Sequence, residues 1–166
     1  MLKRLVICFT FLVTSSALFA ADESSLPAVY KSAAELMATL AKNAQAKSDQ
    51  ATSPIANEDH YRINIVRRGS AGTAMAHATG PAKGSEVHYI IDGAATVVTG
   101  GTLVRPAGAS GRGNVTPGNT TIDGGESRRV TKGDVIFIPA GTPHWYKEVE
   151  GSVTYLEVRF DVELKK

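Results

Sequence analysis

Residues 133–144 read Gly-Asp-Val-Ile-Phe-Ile-Pro-Ala-Gly-Thr-Pro-His. The apolar segment at 134–138 predicts a short β-strand, and the Pro139-Ala140-Gly141 that follows it predicts a tight turn. His144 then begins a second predicted strand, over residues 144–149. This succession of strand, turn and strand is typical of an all-β chain.

The same pattern of short strands and close turns extends outward from this stretch. Turn signals recur at Asp92-Gly93, which predicts a hairpin, at Lys132-Gly133 and at Glu150-Gly151. Many short strands between such turns predict a β-sandwich or β-barrel. The further predicted strands cover residues 61–66, 73–77, 86–91, 95–98, 103–104, 128–131 and 152–162, and residues 106–125 form a predicted loop.

One helix is predicted before the strands. Ser32 and Glu35 have the spacing of a capping box, and a helix-forming run continues to about Lys47. The apolar residues that share one helical face are Leu36, Met37, Leu40, Ala41 and Ala44. Residues 48–58 are polar and are interpreted as a connector, so residues 21–58 form a helix and connector and residues 59–166 form the β domain.

The first twenty residues have the three-part layout of a secretory signal. A basic head, which contains Lys3 and Arg4, precedes an apolar run over residues 5–13 and small residues up to Ala20. The apolar run is short for a membrane span, although an uncleaved anchor is the alternative. We therefore predict cleavage near Ala20 and a periplasmic location, with no membrane association once the signal is removed.

Charge and cysteine content exclude several functions. The 18 basic and 16 acidic residues give a net charge of +2, and removal of Lys3 and Arg4 leaves 16 of each sign. Such a balance argues against nucleic acid as a partner. Cys8, the single cysteine, lies in the predicted signal, so the mature chain offers no thiolate for catalysis or metal binding.

Residues 133–144 resemble the second motif of the cupin family, in which Gly, Pro, Gly and His are separated by five, one and two residues. The family's closing Asn is Glu148 here. The first motif is partial, because Glu86 and Gly93 have the family's spacing but the usual pair of histidines does not precede them. His77 is the nearest candidate for the second of that pair, and Met75 stands where the first belongs.

This resemblance implies a cupin-type double-stranded β-helix, which is a jelly-roll barrel, here with an N-terminal helix. It also implies one divalent metal ion in the barrel, with His144 from the second motif among its ligands and His77 as a further candidate. By the same analogy the chain is expected to form a homodimer.

Strand geometry supports a metal site independently of the resemblance to the cupin family. Side chains alternate along a strand, so Glu86 and His88 share one face, and Ile90 continues that face inward. Burial of Glu86 and His88 together is costly without a positive centre, and two histidines with a carboxylate suit Fe, Mn, Ni, Cu or Zn. The alternative is an exposed pair on the outer face, with the apolar neighbours Val87 and Tyr89 inside.

Other polar residues are assigned by their position. Tyr146 shares a face with His144, where it either hydrogen-bonds a ligand or forms part of the core. His60 is expected at the surface. The pairs Arg67-Arg68 and Arg128-Arg129 are expected to be solvated strand ends, although an arginine there can reach an anionic ligand.

Three functions remain open at this point. The first is a metal-dependent oxygenase, isomerase or lyase that acts on a small organic molecule, with Tyr146 positioning the substrate and the metal held by His77, Glu86, His88 and His144. The second is a non-catalytic periplasmic protein that binds a metal or a small ligand. The third is a structural protein that contacts a partner through the loop at 106–125. Fold alone does not choose among them.

Overall fold

The computed structural model describes residues 27–46, 50–69, 77–78, 84–105 and 120–161. The predicted signal and most of the predicted loop at 106–125 lie outside these residues. The described part contains one α-helix and nine β-strands: α1 (Ala33–Ala46), β1 (Gln50–Asn57), β2 (Tyr61–Gly69), β3 (His77–Ala78), β4 (Gly84–Thr99), β5 (Thr102–Val104), β6 (Thr121–Asp123), β7 (Glu126–Thr131), β8 (Val135–Ile138) and β9 (Pro143–Asp161).

Most of the strands belong to one antiparallel sheet. Its order is β1-β2-β9-β4-β7, with β3 paired to β9 and β8 paired to β4. Strands β5 and β6 form a separate two-stranded sheet. The predicted all-β class with an N-terminal helix is confirmed. Among the described strands the hydrogen-bonded order ends at β1 and β7, so closure into a barrel stays a prediction. No helix in the described part is long and apolar enough to cross a membrane.

Two long strands replace four predicted short ones. β4 runs through Asp92-Gly93 without a hairpin, and β9 runs through Glu150-Gly151 without a turn, so both turn predictions were wrong. The register between β4 and β9 shifts at these positions, which marks irregularities of the β-bulge kind. Gly93 has φ +80°, and a Cβ there would lie 1.9 Å from the Ser152 carbonyl oxygen. The glycine thus permits close strand contact, which the sequence pattern does not distinguish from a turn.

The predicted connector is also a strand. β1 pairs with β2 along its whole length, with an irregularity between Pro54 and Ala56. Proline is compatible with an edge strand because one side of such a strand needs no backbone donor. The assignment of residues 50–57 to a connector was therefore wrong.

Helix α1 begins as the capping box predicts. The Ser32 hydroxyl accepts from the Glu35 N–H at 3.3 Å, and the Glu35 carboxylate accepts from the Ser32 N–H at 2.8 Å. Leu40 is buried against Ala51 and Ile65 of the sheet, and Leu36 and Ala44 pack beside it. Of the predicted apolar face, Met37 and Ala41 are exposed instead. The helix covers the outer face of the sheet at β1 and β2.

The other face of the sheet holds a second core and a set of polar groups. Its apolar part is Val66, Ile90, Ala95, Val97, Val130, Tyr146, Val153 and Tyr155. The register places two rows of polar residues across β2, β9 and β4 on this face. One row contains Asn64, Glu157 and His88, and the next row contains Arg62, Arg159 and Glu86. This face is where the candidate site lies, and it is called the inner face below.

Candidate metal centre

Strand β4 places two of the predicted ligands on the inner face. Glu86 and His88 are 3% and 1% exposed, whereas Tyr89, which points the other way, is 44% exposed. Because side chains alternate along β4, the pair is buried by the same geometry that exposes Tyr89. The alternative of an exposed Glu86 and His88 pair on the outer face was therefore wrong.

The third ligand comes from strand β9. His144 follows the predicted turn, begins the long strand and is fully buried. Its Nε2 atom lies 3.5 Å from Glu86 Oε2, and the same carboxylate oxygen lies 3.2 Å from His88 Nε2. The candidate ligand atoms of all three side chains lie within 4.8 Å of one another. Residues 58 positions apart in sequence thus converge on one point.

The donor set fits a divalent metal ion. Ligand atoms that share one ion at bonds of about 2.0–2.2 Å lie about 3.0–3.5 Å apart, which is the range of the two measured separations from Glu86 Oε2. Two imidazoles and one carboxylate suit first-row metals and leave further coordination positions open. The three buried side chains could therefore hold such an ion.

The fourth predicted ligand, His77, lies in the two-residue strand β3. Its Cα is paired with that of His144 across β3 and β9. This register places the backbone at His77, from the partial first motif, beside the backbone at His144, where the second motif ends. The assignment of His77 as a ligand stays a prediction.

Tyr146 lies beside the ligands, within the core. It is 1% exposed, and its hydroxyl lies 3.1 Å from His88 Nδ1. Its ring stacks on that of Tyr155, with centroids 4.9 Å apart and planes 8° apart. Burial raises the pKa of Tyr146 well above its usual value, so the hydroxyl is neutral at physiological pH. The contact of Tyr146 with substrate stays a prediction, and its hydroxyl contacts the candidate ligand His88.

Arg68 differs from its prediction. It is buried at 8% exposure, its Nε donates to the Tyr155 hydroxyl at 2.9 Å, and its guanidinium lies 5.2 Å from the centre of the Tyr146 ring. It is therefore a buried support of the two tyrosines and not a solvated strand end. Arg67 is exposed, as predicted.

The remaining surface assignments are confirmed. His60 is exposed, and so are Arg128 and Arg129. Arg129 forms two hydrogen bonds with Glu150, at 2.6 and 2.9 Å, and Arg128 pairs with Glu126. These ion pairs lie in solvent, where they contribute little to stability.

Two arginines that pair with carboxylates of the inner face were not identified from the sequence. Arg159 Nη1 lies 3.7 Å from Glu86 Oε1, and Arg62 Nε lies 3.5 Å from Glu157 Oε1. Both occupy the alternate positions of their strands that face inward. The sequence of the predicted strand at 61–66 shows the alternation. Its apolar residues, Tyr61, Ile63 and Ile65, were the more obvious candidates for the protein interior than the polar residues between them.

Comparison with known proteins adds information about the fold only. No known family profile matches the sequence, and no curated protein matches it. Among solved structures, the chain is similar to KdgF from Halomonas sp., with 14% identity and a TM-score of 0.49 over 70% of this chain and 83% of that one.

Two other solved structures are similar to the chain. One is the Cnp3 cupin domain from Schizosaccharomyces pombe, with 11% identity and a TM-score of 0.48 over 68% of this chain and 65% of that one. The other is FeII HppE, with 13% identity and a TM-score of 0.47 over 68% of this chain and 50% of that one. At these identities the likeness carries no conclusion about chemistry.

Proposed function

We propose that this chain binds one divalent metal ion through Glu86, His88 and His144 and acts as a metal-dependent enzyme on a small organic molecule. The observation that carries the proposal is the convergence of the three buried side chains within 4.8 Å. Buried ionisable groups of this kind need a compensating charge or hydrogen bonds, and a metal ion supplies the charge.

Three candidate ligands among the described residues match the number in a catalytic site, and His77 as a fourth would instead give the number in a structural zinc site. Catalytic zinc sites keep three protein ligands and an open position, whereas structural sites are closed by four. With three ligands, the bound ion would supply Lewis-acid or oxygen-binding chemistry at its open positions. The chain's own residues fix where this happens: Glu86 and His88 by the alternation of β4, and His144 by the start of β9.

A second candidate is a non-catalytic protein that binds a metal or a small ligand. The position of Tyr146 favours it, because the side chain expected to position a substrate instead contacts His88 and is 1% exposed. Turnover of small hydroxy acids, aldoses and catechol-like substrates by the metal-loaded protein distinguishes the two candidates. A loaded protein that binds such compounds without converting them supports the second.

The test of the metal site is the replacement His144→Ala. We expect most bound metal to be lost, because one of three ligands is removed, and this loss to exceed the roughly 10–100-fold effect of changing a residue beside a ligand. Elemental analysis of the purified protein measures the metal content. His60→Ala is the matched control, since His60 is exposed, and it should retain the metal.

The same measurement on His77→Ala and His88→Ala decides the composition of the site. Loss of metal in both variants gives a site of three histidines and one glutamate. Loss only in His88→Ala leaves the three described ligands. If His77, His88 and His144 can each be replaced with full metal content retained, the proposed site does not exist.

We also propose that the protein is exported to the periplasm. The support is the basic head, apolar run and small residues of positions 1–20. Mass analysis of the protein from the periplasmic fraction should give an N-terminus near Ala21. A protein that retains Met1 in every fraction would contradict export by cleavage.

A further inference from the structure

Two arginines share a cross-strand row with the candidate ligand Glu86. Arg62 of β2 and Arg159 of β9 are register partners, and Glu86 is the next residue in the same cross-strand row. Side chains directly opposite in an antiparallel pair share a face, and like charges in that position destabilise the sheet. A row that sets two positive charges side by side therefore needs negative charge beside it.

The negative groups beside these arginines satisfy them only in part. Arg159 Nη1 is 3.7 Å from Glu86 Oε1, longer than the roughly 2.7–2.9 Å of a charge-assisted hydrogen bond. Arg62 Nε is 3.5 Å from Glu157 Oε1, and it has no hydrogen-bond partner among the described residues. Glu157 Oε1 instead accepts from Asn64 Nδ2 at 3.0 Å. The unpartnered Arg62 Nε is itself buried, so a donor that Arg62 offers to a ligand from solution belongs to the exposed part of its side chain.

Both arginines are also within reach of a ligand from solution. The side chain of Arg62 is 43% exposed and that of Arg159 is 30% exposed, whereas that of Glu86 is 4% exposed. The row therefore runs from solvent-accessible guanidinium groups to a buried candidate metal ligand.

The charge balance changes when a metal ion is present. Arg62 and Arg159 oppose the two carboxylates of Glu86 and Glu157, so these four groups are neutral as a set. This step rests on the proposed function: a divalent ion held by Glu86 gives the set a charge of +2. An excess positive charge of that size in a partly buried site attracts anions.

We propose that Arg62 and Arg159 form an anion-binding subsite of the metal centre, and that the ligand is a small organic acid. Its oxyanion group, a carboxylate or a phosphate, is held by the planar guanidinium donors. A second polar atom of the same molecule, such as a hydroxyl, faces the open positions of the metal ion. The substrate class is therefore anionic, and uncharged analogues are bound weakly.

The experiment is a calorimetric titration of the purified protein loaded with Mn²⁺. The probes are glycolate, methyl phosphate and glycolamide, the last of which replaces the carboxylate of glycolate by a neutral amide. We expect at least one anion to bind about tenfold or more tightly than glycolamide. The tighter of the two anions identifies the oxyanion group. Equal affinity for all three probes, or no binding of either anion, would overturn the proposal.

Substitutions then assign the preference to the two arginines. Arg159→Gln and Arg62→Gln should each lower anion affinity by roughly 10–100-fold and leave glycolamide affinity unchanged. Arg159→Lys keeps the charge and should restore part of the affinity. Arg67→Gln is the matched control, because Arg67 lies on the same strand and is exposed on its other face. An anion preference that survives both glutamine variants refutes the assignment.

Metal content, measured on the same samples, separates this proposal from the proposed function. Bound metal without anion preference overturns the subsite alone. Anion preference that depends on both arginines, in a sample that holds no metal after loading with Mn²⁺, supports the subsite and contradicts the metal site. Arg62→Gln is the decisive variant if Arg159→Gln disturbs metal binding, because Arg62 contacts Glu157 and not a candidate ligand.

Discussion

The ring of His88 has a polar neighbour at each of its nitrogen atoms. Nε2 lies 3.2 Å from Glu86 Oε2, and Nδ1 lies 3.1 Å from the Tyr146 hydroxyl. Only one ring nitrogen of a neutral histidine carries the proton. When Nε2 serves as the metal ligand, Nδ1–H donates to the Tyr146 oxygen. A partner at the second nitrogen fixes the tautomer and the orientation of a metal-binding histidine.

This geometry predicts the effect of Tyr146→Phe. The ring and its stacking on Tyr155 are retained, but His88 Nδ1 loses its partner. We expect metal affinity to fall by about 10–100-fold, as is typical when the partner of a ligand histidine is removed. Competition with a chelator of known affinity measures the change.

Tyr155→Phe is the matched control for that experiment. It removes an equally buried hydroxyl, which accepts from Arg68, and keeps the Tyr155 ring, whose centroid lies 4.6 Å from that of His88. Its metal affinity should stay within about twofold of the wild type, although burial of an unsatisfied Arg68 donor costs about 1–3 kcal/mol of stability. An equal loss of metal affinity in both variants would show that Tyr146 acts through general packing.

Sequence reasoning predicted Glu86 and His88 as ligands from strand alternation and His144 from its motif. It did not find Arg68, because β2 is buried on both faces: Ile65 packs under helix α1, while Val66 lies in the core of the inner face. Alternation assigns the side chains of such a strand to two faces, but it does not indicate which face carries the candidate site. That choice depends on which face the helix covers, which is a tertiary contact.

At the scale of secondary structure elements, the bends of β4 and β9 bring the ligands together. One half of β4 pairs with residues 153–161 of β9, and the other half pairs with residues 144–149. Between these halves, three residues of β9 at 150–152 face a single residue of β4, Ala94. Positive-φ glycines, Gly93 and Gly151, lie on both sides of this irregularity. A turn and a bulge share this glycine signature, so the sequence predicted the breaks but not the continuous strands.

The bulge gives a prediction for Gly93→Ala. The added Cβ would lie 1.9 Å from the Ser152 carbonyl oxygen, so the backbone of β4 or β9 must shift. We expect a loss of about 3 kcal/mol or more in the free energy of unfolding, measured by urea denaturation. The substitution should also weaken metal binding, because the bulge sets how the two halves of β9 face β4.

Gly151→Ala is the control on the opposite strand. Gly151 has φ +72°, but a Cβ there would meet nothing within 4 Å. Its cost is therefore the backbone conformation alone, about 1–2 kcal/mol. If the two variants lose the same stability, close contact between the strands is not what selects glycine at position 93.

At the scale of the whole molecule, the candidate metal centre links parts of the sheet that are distant in sequence. Glu86 and His88 belong to the first half of β4, and His144 belongs to the start of β9, which pairs with the last residues of β4. A bound ion thus connects the two halves of the bent sheet, and the unfolded chain does not hold these three groups together. Metal binding to the native state should therefore stabilise the entire fold.

The size of this stabilisation can be predicted from mass action. At a free metal concentration one hundred times the dissociation constant, a ligand specific to the native state adds about 2.7 kcal/mol, which corresponds to about 5–10 °C in Tm for a chain of this size. Thermal unfolding followed by circular dichroism, with Mn²⁺ or with EDTA, measures the difference. His60→Ala should show the full shift, and His144→Ala should show almost none, because only the second removes a ligand. An equal shift in Tm in both variants would mean that the ion stabilises the protein from a different site. The centre formed by Glu86, His88 and His144 cannot bind the ion normally once one of these three ligands is removed.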